Sequence, residues 1–98
     1  MFNPVRTRRT FEEAAEQIAD KVRAGELRVG DKLPAERDLA LRMEISRPTL
    51  REAVKVLVEA AVLEVRRGPG GGMFVASDVV PTELIRRRSE LRRAEVAQ

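Results

Sequence analysis

Two arginines that stand one helical turn apart, Arg47 and Arg51, are the residues of this chain best suited to a specific chemistry. A guanidinium group carries a planar fork of N–H donors that fits a phosphate or the edge of a guanine base. Ser46 precedes the pair and is a good helix N-cap, and Thr49 adds a hydroxyl between them. Such residues at the beginning of a helix favour a surface that binds nucleic acid.

The charge composition favours the same chemistry. Lysine and arginine together contribute 19 residues against 16 acidic ones, for a net charge of +3, and only Lys21, Lys32 and Lys55 are lysines. A small, basic, arginine-rich chain favours nucleic acid as its partner. An ordinary solvated helix surface remains the alternative for Arg51 and Lys55, because both lie off the apolar stripe of their helix.

Other chemistries are excluded or disfavoured. The chain has no cysteine and no histidine, so it lacks thiolate ligands, disulfides and an imidazole base. We expect no enzymatic activity, no metal and no cofactor. The glycine-rich segment 68–72 is followed by no Lys-Ser or Lys-Thr pair, which argues against a nucleotide-phosphate loop. The missing cysteines agree with a cytoplasmic location, and no apolar run is long enough to span a membrane.

Hydrophobic periodicity predicts three helices that would position the arginines. The first begins with a capping box at Thr10 and Glu13 and ends at Gly25. The second runs from about Ala35 to Arg42 and leads through a tight turn into the third, which Ser46 caps. The buried stripe of the third helix is predicted to be Leu50, Ala53, Val54, Leu57 and Val58.

Beyond residue 61 the period changes from 3.6 to 2, which predicts a β-hairpin. Its strands contain Leu63 and Val65 on one side and residues 73–75 on the other, joined by the glycine-rich segment. A last helix is predicted from Thr82. Its apolar residues are too scattered for a stripe, so we expect it to need a surface outside this chain. Its arginines favour a solvated linker over a DNA contact.

The predicted fold class is mainly α with a small β-hairpin, namely a winged helix-turn-helix of three helices and a two-stranded wing, followed by a linker helix. We predict a basic arm at 1–9, the winged domain at 10–77 and the linker helix at 78–98. The arginines of the arm fit either a disordered tail or an arm that touches phosphates.

Three blocks in the order of this fold, at 30–40, 46–53 and 66–75, resemble the GntR family of bacterial regulators, most closely its FadR-type subgroup. The resemblance implies a homodimer that binds a pseudo-palindromic operator in double-stranded DNA. It also implies a small-molecule effector that binds a further domain, which this chain does not contain. The residues expected to contact DNA are Arg37, Ser46, Arg47, Thr49, Arg51, Arg67 and Gly68.

Three positions depart from the family pattern. Glu44 stands where the turn usually has glycine, Pro48 replaces a common hydroxyl residue, and Ala61 replaces the glycine that ends the third helix. Arg37 also has a structural alternative, since it could pair with a carboxylate. For the function of the whole chain, the alternative is a winged-helix module that binds other proteins, or one that binds nucleic acid without sequence specificity.

Overall fold

The computed structural model describes Phe2 and residues 10–96, and it has the predicted winged-helix architecture. The elements are α1 (Thr10–Arg23), α2 (Glu36–Met43), α3 (Arg47–Glu59), β1 (Leu63–Arg66), β2 (Gly72–Val75) and α4 (Thr82–Val96). Among the described helices, none combines the length and apolarity needed to cross a membrane.

The core is aliphatic and lies between α1 and α3. The apolar face predicted for α1 is buried from Ala14 to Val22. Phe2 is also buried and joins this core. The rest of the predicted arm and the side chain of Thr10, with its predicted capping box, lie outside the described residues.

The stripe predicted for α3 is confirmed except at its last position. Leu50, Ala53, Val54 and Leu57 are buried, whereas Val58 is 40% exposed. Val56, which the stripe did not include, is fully buried. The difference arises because α1, α2, α4 and β1 all contact α3 and together cover more of its circumference than a single apolar stripe would need.

The expectation that α4 needs a surface outside this chain is wrong, because α4 packs on α3 and is joined to α1 by polar side-chain contacts. Ile85 is buried, and the buried Ser89 hydroxyl donates to the Ile85 carbonyl at 2.8 Å. Ion pairs extend the contact, from Arg92 to Glu52 on α3 and from Arg93 to Glu12 on α1. Polar contacts therefore help to hold α4 against the rest of the domain, because its scattered apolar residues provide too little buried surface.

The wing is an antiparallel hairpin in which Leu63 pairs with Val75 and Val65 with Met73. These four side chains share one face, and all but Val65 are buried. The segment before α2 adds a short third partner on the other edge of β2, since the Leu33 N–H donates to the Met73 carbonyl at 2.8 Å. This segment forms only an isolated bridge with β2 and no strand of its own.

Three helices end in the same left-handed turn, but only α1 uses glycine. After α1 the N–H of Glu26 donates to the Lys21 carbonyl at 3.0 Å, with Gly25 at φ +77°. The equivalent left-handed residues are Glu44 after α2 (φ +56°) and Ala61 after α3 (φ +61°). This is the Schellman arrangement, and a side chain in that conformation costs roughly 1 kcal/mol.

We expect Glu44→Gly and Ala61→Gly each to raise the free energy of unfolding by about 1 kcal/mol, because both side chains are exposed and only the left-handed strain is removed. Urea denaturation followed by circular dichroism measures the change. Ala94→Gly is the control, since Ala94 is an exposed helical residue and glycine there should lower stability. A loss of stability in all three variants would contradict the interpretation.

Candidate nucleic-acid interface

One carboxylate organises the two arginines at the beginning of α3. Glu36, the first residue of α2, accepts from Arg47 Nε at 2.7 Å through Oε1. It also accepts from Arg51, at 2.9 Å from Nε and 3.0 Å from Nη2. The Glu36 side chain is mostly covered, whereas both guanidinium groups are more than half exposed. The carboxylate therefore ties α2 to α3 while the arginines stay on the surface.

The bonds to Glu36 leave part of each arginine fork free. Among the described residues, nothing accepts from the Nη atoms of Arg47 or from Nη1 of Arg51. The hydrogen bond from Arg51 lowers the pKa of Glu36; Arg47 and the positive charges of both groups act in the same direction, and burial opposes them. The carboxylate is thus ionised at neutral pH, and the guanidinium ends can donate to another acceptor.

Ser46 and Thr49 form the predicted cap of α3. The Thr49 N–H donates to Ser46 Oγ at 3.1 Å, and the two hydroxyl oxygens lie 2.7 Å apart. Ser46 is exposed, so its oxygen lies at the surface beside the free amides of the first turn. Pro48 occupies a first-turn position, where its missing N–H removes no helical bond.

Arg37 follows Glu36 but has a different environment. Its side chain is exposed, and it forms no ion pair with any residue that the structure describes. The structural alternative for Arg37, pairing with a carboxylate, therefore does not occur in the described part of the chain. The neighbouring carboxylate of Glu36 pairs with Arg47 and Arg51 and not with Arg37, so the Arg37 guanidinium remains available to a ligand.

The wing tip is built from backbone that requires glycine. Gly68 and Gly70 have positive φ angles of +84° and +74°. A Cβ at Gly71 would lie 2.4 Å from the Arg66 carbonyl oxygen, so no side chain fits there. Beside Gly68, by contrast, the space for a Cβ is open. Arg67 is exposed next to it and pairs with no described residue, so the tip presents one cation and bare backbone.

A cleft of about 570 Å³ separates α3 from the wing, and we call it the wing cleft. Its rim carries Lys32, Arg51, Lys55 and Arg67, and its floor includes Val65. The structure thus gathers predicted site residues from α3 and the wing around one concave surface. Arg37, Ser46, Arg47, Thr49 and Gly68 do not line it.

Glu36 was not predicted as the partner of both arginines. The pairing joins residues 11 and 15 positions apart on different helices, so no helical spacing reveals it. The available signal was an acid at the beginning of the helix that precedes the two arginines. Lys32 was not predicted as a site residue, and Lys55 was considered beside Arg51 but was not among the residues expected to contact DNA.

Comparison with known proteins identifies the family of this chain. Residues 10–75, more than half of the chain, match the family described as "Bacterial regulatory proteins, gntR family". This chain belongs to the GntR family. The predicted resemblance is thereby confirmed for the family, and membership of the FadR-type subgroup stays a prediction.

The relatives that this chain matches carry the names of transcriptional regulators. The chain is 49% identical over 67 residues to the HTH-type transcriptional regulator Mce2R of Mycobacterium tuberculosis, covering 68% of this chain and 28% of that protein. It is 40% identical over 63 residues to the Exu regulon transcriptional regulator of Escherichia coli, covering 64% of this chain and 24% of that protein. The matches thus span about a quarter of those relatives.

Two solved structures of regulators have the same fold. A DNA-binding domain of AraR in complex with an operator superposes with a TM-score of 0.63 at 32% identity, over 67% of this chain and 77% of that one. YtrA from Sulfolobus acidocaldarius, a GntR-family transcription factor, gives 0.64 at 30% identity, over 89% and 86% of the two chains. The winged-helix fold is therefore confirmed.

Glu36→Gln should raise affinity for random-sequence DNA and reduce discrimination in favour of a selected sequence. The change removes a negative charge from the surface, but it also loosens Arg47 and Arg51. Fluorescence anisotropy with both duplexes at one salt concentration measures the two affinities. Glu83→Gln is the matched control, since Glu83 pairs with an arginine on α4. Unchanged discrimination in Glu36→Gln would show that the carboxylate does not orient the arginines.

Arg67→Ala should weaken binding most on sequences with A·T-rich steps beneath the wing, because narrow minor grooves concentrate negative potential. Affinities for duplexes that differ only in those steps measure the effect. Arg87→Ala is a control, since Arg87 is also exposed and lies on α4. An equal loss on every duplex, with a smaller salt slope, would make Arg67 a phosphate contact instead.

Proposed function

We propose that this chain is the DNA-binding part of a transcriptional regulator that recognises a pseudo-palindromic operator as a homodimer. The observation that carries the proposal is the arrangement at the beginning of α3, where Glu36 binds Arg47 through Nε and Arg51 through Nε and Nη2 and leaves both Nη groups of Arg47 and Nη1 of Arg51 free. A fixed fork with free donors suits bidentate hydrogen bonds to guanine O6 and N7.

The proposed contact surface combines three parts of the fold. Arg47, Thr49 and Arg51 would face base edges in the major groove, with Arg37 beside them. Ser46 would bring the first-turn amides of α3 to a phosphate. Arg67 and Gly68 would enter the adjacent minor groove, where the open space beside Gly68 permits close approach.

Support for operator binding comes from the relatives. The Mycobacterium and Escherichia proteins are named transcriptional regulators, and the AraR domain is seen on an operator. Operator DNA lies in the bacterial cytoplasm, which is the location that the proposal implies. The proposed function is DNA binding and requires no catalytic step.

The sensing of a small molecule would belong to a different domain. The matches cover only about a quarter of the named relatives, and we propose that the remainder of such a protein binds the effector. In this proposal residues 78–98 lead to that domain, and the packing of α4 on α3, with the ion pair from Arg93 to Glu12 on α1, would hold the connection against the winged domain. No cofactor is part of the proposal.

The alternative is a protein-binding or non-specific module, and the front of α3 disfavours it. A protein-binding surface would present an apolar patch there, whereas Ser46, Arg47 and Arg51 are exposed. A non-specific binder would not need two arginines fixed by a shared carboxylate. The alternative still makes a distinct prediction, since it requires no preferred DNA sequence.

Selection from a random-sequence duplex library should enrich a symmetric site that binds two chains per duplex. Arg47→Ala and Arg51→Ala should each weaken that site by about 1–3 kcal/mol and affect random DNA less. Anisotropy titrations and sedimentation of the complex measure affinity and stoichiometry. Arg86→Ala serves as control, since Arg86 pairs with Glu83 and Glu90 on α4. Saturation at one chain per duplex would contradict the homodimer, and no enrichment would favour the alternative.

A further inference from the structure

Glu52 is an acidic residue of α3 that contacts α4. It directly follows Arg51 and precedes Lys55 by three residues, and those two cations line the wing cleft, whereas Glu52 does not. The Glu52 side chain is only 22% exposed. Its Oε2 accepts from Arg92 Nε on α4, and its Oε1 lies 3.8 Å from Lys55 Nζ. Two cations on different elements therefore compete for one carboxylate.

The two cations are unequal partners for Glu52. Arg92 is covered to the same extent as the carboxylate and donates a direct hydrogen bond to it. Lys55 is 56% exposed, and the 3.8 Å between its Nζ and Oε1 is too long for a hydrogen bond. A charge-assisted hydrogen bond away from solvent is stronger than an exposed ion pair without one. Arg92 therefore neutralises Glu52 while α4 is docked, and the Lys55 ammonium group is left to the wing cleft.

Loss of Arg92 would change the charge on the surface of α3. Glu52 would keep its negative charge without a hydrogen-bonded partner among the residues that the structure describes. Lys55 lies at i+3 on the same helix, where an acid and a base can pair by rotation of their side chains alone. That pair would draw the ammonium group away from the rim of the wing cleft. It would also lower the positive potential that attracts DNA to this surface.

The end of α4 that carries Arg92 is held mainly by polar contacts. In the described part of α4, Ile85 is the only large apolar side chain that is buried, and Leu91, beside Arg92, is 58% exposed. Arg92 Nη1 also donates to Glu95 on its own helix at 3.0 Å. The arginine thus has another acceptor when it leaves Glu52, and the end of α4 can move without opening the apolar core.

We propose that Arg92 is a positioning residue for DNA binding, which holds Glu52 away from Lys55 and so keeps that lysine free on the surface that faces DNA. Arg92 lies on α4 and does not line the wing cleft, so it acts through Glu52 and not by touching DNA. This inference rests on the proposed function. It makes the affinity for DNA depend on whether the end of α4 is docked on α3.

Arg92→Ala and Arg93→Ala form a matched pair of variants. Each removes one positive charge from α4 and one ion pair to another helix, but Arg93 pairs with Glu12 on α1. We expect Arg92→Ala to weaken binding of the 98-residue chain to a random-sequence duplex several-fold at low salt, because Glu52 then captures Lys55. Arg93→Ala should leave the affinity nearly unchanged. Fluorescence anisotropy measures the affinities, and thermal melting checks that each variant is folded.

The salt dependence of binding shows whether Lys55 has been captured. In the unchanged chain, Lys55→Ala should lower the slope of log affinity against log salt by about 0.9, as the loss of one phosphate-facing cation does. In the Arg92→Ala background the same substitution should leave the slope unchanged. Addition of Glu52→Gln to Arg92→Ala should restore the affinity and the effect of Lys55→Ala, because no carboxylate remains to bind the lysine. A purely structural role of Arg92 would leave the effect of Lys55→Ala the same in every background.

The outcomes separate this inference from the proposed function. Equal affinities of Arg92→Ala and Arg93→Ala overturn the inference, as does an effect of Lys55→Ala that is the same with and without Arg92. Failure of Glu52→Gln to restore binding also overturns it. These three results leave the proposed function standing, which the duplex selection tests separately. Absence of duplex binding by the unchanged chain at low salt overturns both proposals. A loss in Arg92→Ala alone, reversed by Glu52→Gln, supports the inference.

Discussion

The structure depends on the burial of α3 along one side while its other side stays in solvent. Leu50, Ala53 and Leu57 are fully buried, and every other helix, together with β1, contacts α3. At roughly 1.5–3 kcal/mol for each large aliphatic side chain buried, this stripe is a major source of stability for a chain of 98 residues. The same burial fixes the rotation of α3 about its axis, so Arg47 and Arg51 are held at the surface.

The functional surface adds polar constraints to that apolar anchor. Glu36 joins the beginning of α2 to both arginines, and Ser46 closes the first turn of α3. The wing is positioned separately, because Leu63, Met73 and Val75 belong to the same buried core. The distance between helix and wing, and thus the width of the wing cleft, is set by core packing, in which the cleft residue Met73 takes part, and not by the charged residues of the rim.

Two features show that this chain accepts local strain at the ends of its helices. Glu44 and Ala61 adopt left-handed backbone without glycine, yet both turns keep the hydrogen bonds that close the α2 and α3 C-termini. Both residues lie in tight connections, one inside the helix-turn-helix and one between α3 and the wing. The packing of the elements on either side imposes the conformation, so the turn forms in spite of its residue.

Local pattern in the sequence was enough to predict the elements and their order, and it selected the candidate site residues. These signals act over a few residues and can be recognised without a structure: the helical and strand periods, the Ser46 cap, Gly25 and the glycine-rich wing tip. Tertiary structure alone decided that Glu36 binds Arg47 and Arg51, that Val56 is buried while Val58 is not, and that α4 docks through Arg92 and Arg93. These outcomes depend on which faces of distant elements meet, and helical spacing carries no information about a partner on another helix.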